Sequence, residues 1–365
     1  MPKYKVDYRI TPGETQIVKA FAIMAMIAHH LFYEHPEFGD AVVSVGIAGK
    51  VCVALFVFLS GYGMATSFPK NVEGRFNIAK TFLFVLCRRY EKFFLSYWFI
   101  FFISVPIGVF VFNRPLEAAY GENANLLSSF ISDMLGQQSF NSYNITWWFN
   151  AIILALWLLF PFLYCAMKNF IVSIFVLLFI WINPNDILFI LHTIALGLPT
   201  WLLSFALGIF VALHIDRISK FLNNINPNIV LGTSIPLALV LLFLRGVKVF
   251  PNFNQFQVDP FATALFSFAV VCICRKTKKN FSFLQFVGKH SMNMYLTHTF
   301  IVGYFFTDFI YGFKYPIIIF TVLFSISLLL SICIEFVKNK IGFYKLQNII
   351  VASINKVGAL PISKN

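Results

Sequence analysis

Ten stretches of this sequence stay apolar for about the 20 residues that a helix needs to cross the hydrocarbon core of a bilayer. They fall near 15–33, 46–67, 93–113, 147–167, 169–184, 199–214, 229–245, 260–275, 291–311 and 315–337. A soluble domain cannot place that much apolar surface around one core. It needs about 25% charged residues to hydrate its exterior, whereas only 12% of these 365 residues are charged and 59% are hydrophobic, Phe alone supplying 47. The expected fold is therefore all-α: a polytopic integral membrane protein of about ten transmembrane helices. The stretch 124–138 is too polar to span and is read as an amphipathic helix along the membrane surface.

A net charge of +13 invites a nucleic-acid reading, and the positions of the charges answer it. With the N-terminus inside, 23 of the 28 Lys and Arg residues fall in inner segments. Only Arg114, Arg245, Lys248 and Lys314 fall in outer ones, and Lys50 stands near the outer start of the second run. The bias follows the positive-inside rule and predicts both termini in the cytoplasm, with no nucleic-acid partner. The polar start, MPKYKVDYRITPGETQ, has no apolar core with a small-residue cleavage site, so it is not read as a cleaved signal. The six cysteines (Cys52, Cys87, Cys165, Cys272, Cys274 and Cys333) lie in or beside apolar runs without metal-ligand spacing and are read as reduced packing residues. No metal site is expected. The longest outer connection, 114–146, is acidic and polar and is read as a solvated loop.

An ionisable group inside a bilayer costs about 2.5–3.5 kcal/mol on insertion scales, so each one asks for a reason. The first run holds Lys19, His29 and His30. Eleven residues at 100° each bring Lys19 and His30 to one helix face, about 16 Å apart along the axis, while His29 points about 100° away. An imidazole can take a proton from a hydroxyl at neutral pH, and a lysine can hold a phosphate or carbonyl oxygen as a point charge. The competing reading makes Lys19 a snorkelling residue and His30 an interfacial one. In the ninth run His298 lies about 14 Å above Lys289, with Tyr295 on the same face; a structural histidine paired to another helix is the alternative. Ser60, Gly61, Tyr62 and Gly63 close the second run, where glycine allows close helix packing. Arg88, Arg89 and Lys92 open the third. They suit the phosphates of coenzyme A and equally satisfy the positive-inside rule. Trp147, Trp148 and Phe149 are read as part of an aromatic belt.

Five signatures in order resemble the acyltransferase-3 family over nearly the whole chain. They are a basic residue followed by ten residues and a histidine (Lys19 and His30), Leu59-Ser60-Gly61-Tyr62, Arg88-Arg89, Trp148-Phe149 running to Pro161, and Gly288, Lys289, Ser291, Tyr295, Leu296 and His298 in their family spacing. Lys19 stands where arginine is more frequent, and Trp157 where many members have tyrosine. The resemblance implies an acyl-CoA donor, most often acetyl-CoA, that enters from the cytoplasm without being a tightly bound cofactor. It also implies an acceptor hydroxyl on a surface glycan, a lipid-linked sugar or a similar molecule, and a site in the cell membrane. In these terms His30 is the expected base or transient acyl carrier, Lys19 steadies the donor, and Tyr295 and His298 orient the reacting groups. Arg88, Arg89, Lys92 and Ser60 form the donor-binding set.

The expected organisation is one transmembrane domain over 1–340 and a cytoplasmic tail over 341–365, in contact with membrane lipids and with homo-oligomerisation left open. The rival from another class is a multi-helix carrier or exporter of a glycan or small molecule, which would also line its path with intramembrane histidines. Such a carrier usually shows paired halves, and no half-repeat is visible here. A non-catalytic family member and a glycan polymerase or ligase, which usually carries a larger outer loop, are the remaining rivals.

Overall fold

A computed structural model describes residues 6–69, 74–137, 141–182, 197–246 and 257–358. Lys3, Lys5, Lys70, Lys248 and Lys364 of the charge argument lie outside these residues, as do the end of the fifth apolar run, residue 138 of the surface stretch and the last seven residues of the tail. Among the described residues the regular structure is entirely helical. In chain order the helices are Pro12–Phe32 (α1), Asp40–Gly49 (α2), Val51–Ser67 (α3), Arg75–Phe110 (α4), Leu116–Tyr120 (α5), Leu126–Met134 (α6), Trp148–Ala166 (α7) and Phe170–Ile182 (α8). Leu198–Leu222 (α9), Pro227–Gly246 (α10), Asp259–Thr277 (α11), Ser282–Thr299 (α12), Thr307–Tyr311 (α13), Pro316–Lys340 (α14) and Phe343–Gly358 (α15) follow. Among the described residues eight segments are long and apolar enough to cross a membrane, α2 and α3 counting as one. Phe170–Ile182 is apolar but shorter, and α12 is lengthened by a π turn over Phe300–Phe305. This is an integral, multi-pass membrane protein.

Three elements differ from the sequence expectation. The third span begins at Arg75 rather than near 93, giving a 36-residue helix about 54 Å long. That exceeds the hydrocarbon thickness, so its charged first half continues the helix beyond the apolar run. The second span starts earlier, at Asp40, and breaks at Lys50. Arg245 secures the break: its guanidinium donates to the Ile47 carbonyl and, 2.7 Å away, to Asp259, each side chain of that pair being 1% exposed. The tail is also more regular than expected, since α15 is a helix that packs along α4.

Two crossings organise the bundle. α3 and α9 make its most extensive contact, through reciprocal glycines. A side chain on Gly61 would strike the Phe205 carbonyl, and one on Gly208 the Phe58 carbonyl. α1 crosses α12 where Gly288 meets the backbone of Gln16. Without a hydrophobic drive between helices in lipid, such backbone proximity supplies the van der Waals contact that holds them together.

The described residues of the connection 114–146 are folded rather than a solvated loop. Asp133 is 0% exposed and accepts hydrogen bonds from the Ser142 hydroxyl (2.6 Å), the Tyr143 N–H (2.7 Å) and the Tyr120 hydroxyl (3.0 Å). The Tyr97 hydroxyl of α4 donates to its backbone carbonyl at 2.7 Å. Burial lifts its carboxyl above the usual carboxylate range, against the pull of these donors. A raised folded-state pKa means that the stability Asp133 contributes is full below the ordinary value and fades as pH rises through the raised one. Asp133→Asn turns one acceptor atom into a donor facing donors, and each buried group left unpaired costs about 1–3 kcal/mol. Hydrogen exchange is expected to speed up across 114–146 in the variant. The wild-type advantage should be largest at acid pH and shrink as pH rises through the carboxyl range.

Candidate active site

The depth of α1 is set at its first turn. Thr11 and Glu14 form a reciprocal capping box, satisfying two backbone donors that a helix start leaves open. Glu14 pairs with Arg275 of α11 at 3.2 Å, and the Ile10 N–H donates to the Tyr62 hydroxyl at 2.9 Å. From this fixed end the helix carries Lys19 and then His29 and His30 along its length. Both ends of that face open into one cavity of about 480 Å³ whose wall includes Lys19, His29, His30, Lys50, Trp148 and Tyr295. Among the described lining residues none is acidic. The cavity therefore suits a neutral or anionic occupant, with an ammonium towards one end and imidazoles towards the other.

α12 builds the facing wall. Tyr295 is buried and donates from its hydroxyl to the Thr146 carbonyl (2.9 Å) and shares a 3.1 Å contact with Asn150 Oδ1, so its oxygen is held at the cavity margin. His298 is 0% exposed and stands behind the wall, its ring centroid 5.1 Å from that of His30. The two histidines that lie 268 positions apart in sequence are thus neighbours. Trp147, expected in a lipid-facing belt, is 1% exposed and donates to the Leu296 carbonyl at 3.1 Å. Trp148 and Phe149 line the cavity. A buried indole needs an acceptor for its N–H, and the α12 backbone supplies one here.

The basic residues divide. Arg89 is half-buried against α3, its Nη2 3.0 Å from where a side chain on Gly63 would begin. Arg89 and Lys92 are near enough to Lys19 for their charges to bear on its ammonium. Three cations so grouped make a receptor for an anion of more than one charge. Arg88 is exposed and turns the other way, over the Phe84 ring at 5.5 Å. Ser60 accepts a 2.7 Å hydrogen bond from the Trp157 indole, which places it in the packing of α3 on α7. Trp157 thereby holds the serine from the position where a tyrosine hydroxyl is common in the family resemblance.

Sequence reasoning passed over Lys50 and Thr146 on this wall. Lys50 carried a usable signal, because a charge inside an apolar run is itself a pointer to a cavity. Thr146 carried none: its place depends on how 114–146 folds back over α12. Compared with known proteins, the chain matches the acyltransferase-3 family, described as an acyltransferase domain, over residues 15–336. That span contains Lys19, His30, Arg89, Lys92, Tyr295 and His298. No curated protein and no solved structure matches it.

Proposed function

This chain belongs to the acyltransferase-3 family and is a membrane acyltransferase, and from that premise we propose that it moves an acetyl group from acetyl-CoA to a hydroxyl of a surface glycan or lipid-linked sugar. One observation carries the reading: a single cavity joins the lysine of a three-cation cluster to an imidazole farther along the same helix. The bundle has ten spans, α8 and the α12 segment completing the eight, with both termini in the cytoplasm and one domain over 1–340. Lys19, Arg89 and Lys92 then face the cytoplasmic half, where a CoA phosphate arrives. His30 lies towards the outer half, where a glycan hydroxyl is presented.

In the transfer His30 takes the proton of the acceptor hydroxyl as its oxygen attacks the thioester carbonyl. The C–O ester bond forms, the C–S bond breaks, and the departing thiolate receives the proton from His30. Hydroxyl and thiol exchange one acyl group, so no net proton is consumed. The cations act on the donor, which an ammonium or guanidinium holds through charge-assisted hydrogen bonds.

Membranes containing the protein are expected to release CoA from labelled acetyl-CoA when the surface-glycan fraction is added, with the label recovered on glycan as a base-labile ester. Glycan moved across the membrane without ester formation would make the protein a carrier. Arg89→Gln removes one charged contact worth about 1.5–3 kcal/mol, which predicts a roughly 10- to 150-fold rise in the acetyl-CoA Kd. Equilibrium binding of acetyl-CoA to purified protein measures it, and an unchanged Kd would remove Arg89 from the donor site.

A further inference from the structure

Three imidazoles stand in a row at the histidine end of the cavity. The ring centroids of His29 and His30 are 5.0 Å apart, and those of His30 and His298 are 5.1 Å apart. Backbone carbonyls fix the two flanking rings. His29 Nδ1 lies 2.8 Å from the Gly46 oxygen, and His298 Nδ1 lies 3.1 and 3.0 Å from the oxygens of Met294 and Tyr295. A carbonyl only accepts, so both Nδ1 atoms carry hydrogen, and in a neutral ring the lone pair falls on Nε2.

The hydroxyls beside His298 decide where its lone pair is used. Thr146 donates its hydroxyl hydrogen to Asn144 Oδ1 at 2.7 Å, an atom fixed as oxygen because the Thr146 N–H also donates to it. In the 3.1 Å contact between Thr146 and Thr299 the hydrogen therefore comes from Thr299. The Thr299 hydroxyl also lies 3.3 Å from His298 Nε2, so its one hydrogen is shared between two acceptors, the nearer being Thr146 Oγ1. Among the described residues His298 Nε2 thus meets no donor but this long, shared hydroxyl, and it stands beside His30, which itself makes no hydrogen bond to the described residues. Groups acting on His30 through space are His298, His29 and Lys50, and no carboxylate is among them.

We propose that His298 is the positioning residue of His30: the two rings are neighbours without a hydrogen bond between them, and a turn of the His30 ring lets its N–H donate to His298 Nε2, which turns the other His30 nitrogen to the cavity and steadies the imidazolium that forms during transfer. This inference rests on the reading of His30 as the base. A neutral imidazole here fills the place that a carboxylate holds in most histidine-dependent acyl transfer. It brings no buried negative charge into the membrane and none beside an anionic donor.

The two nitrogens of His298 can be tested apart. His298→Asn keeps a donor for the Met294 and Tyr295 carbonyls and leaves the Nε2 position empty, while His298→Gln puts an amide oxygen near that position. At equal membrane abundance of full-length protein, His298→Asn is expected to lower kcat for acetyl-CoA turnover about 100-fold, with KM unchanged, and His298→Gln to recover roughly tenfold of that loss. A second arm covers misfolding of the Asn variant: it should stay monodisperse in detergent and bind acetyl-CoA with the wild-type Kd. Wild-type kcat in His298→Asn, equal losses in both variants, a loss carried by KM, or a weakened acetyl-CoA Kd in His298→Asn would each overturn the positioning role alone. A wild type that turns over no acetyl-CoA would overturn the transferase reading and this inference together.

Discussion

His30→Gln is expected to abolish acyl transfer while leaving the protein folded and acetyl-CoA bound. Glutamine keeps a neutral polar end near the imidazole but cannot accept a proton and return it. Positioned proton transfer contributes about 10²–10⁴-fold to rate, so at most about a hundredth of the transfer should remain. The test compares the O-acetyl content of surface glycans, by mass spectrometry, in a deletion strain rescued with wild type or with the variant at equal membrane abundance. Binding of acetyl-CoA to the purified variant should match wild type, since Lys19 lines the other end of the cavity with the charges of Arg89 and Lys92 near it. Full acetylation by the variant would remove His30 from the chemistry, and weakened acetyl-CoA binding would assign it to the donor instead. His29 supplies the contrast. Its Nδ1 is tied to the Gly46 carbonyl, so His29→Gln removes an anchor between α1 and α2 and should lower stability more than it lowers kcat per folded molecule.

Much of this arrangement was legible in the sequence because a membrane makes patterns speak. Long apolar runs gave the helices, and helical geometry alone placed Lys19 and His30 on one face. Where expectation failed, the information was not local. The helix of Arg75–Phe110 begins well before its apolar run, since charged helix formers continue a helix without any hydropathy signal. Residues 114–146 look solvated because their polar groups are numerous. They fold because Asp133 gathers donors from three separate places, a pairing that spacing does not announce. The basic residues of the third span could not be sorted from sequence, for Arg88 and Arg89 are adjacent and differ only in which side of α4 they occupy. Trp147 and Trp148 are adjacent as well, yet one is packed inside and the other faces the cavity.

The crossing of α1 and α12 joins the two halves of the site, and it gives the largest expected effect on folding. Lys19 and His30 belong to α1, Tyr295 and His298 to α12, and Gly288 is where the two backbones meet. A Cβ there would overlap the Gln16 carbonyl oxygen and lie 2.6 Å from its carbon and 2.8 Å from its Cα. These are backbone atoms of a helix whose first turn is pinned by the Thr11–Glu14 cap and the Arg275 pair, so they cannot step aside as a flexible side chain would. Alanine is favoured over glycine inside a helix by about 1 kcal/mol, yet overpacking costs typically about 1–3 kcal/mol and occasionally more. Against pinned backbone the steric term wins. Gly288→Ala is therefore expected to fold with a lower melting temperature and to lose activity out of proportion, as His298 is moved away from His30. Gly288→Val should fail to give a monodisperse protein in detergent. Gly232→Ala is the control, because a Cβ at Gly232 meets nothing within 4 Å and the change should be neutral or slightly stabilising. Thermal melting followed by size-exclusion fluorescence separates the three. A Gly288→Ala protein as stable and active as wild type would mean that the two helices can part without cost and that the site does not depend on their closeness.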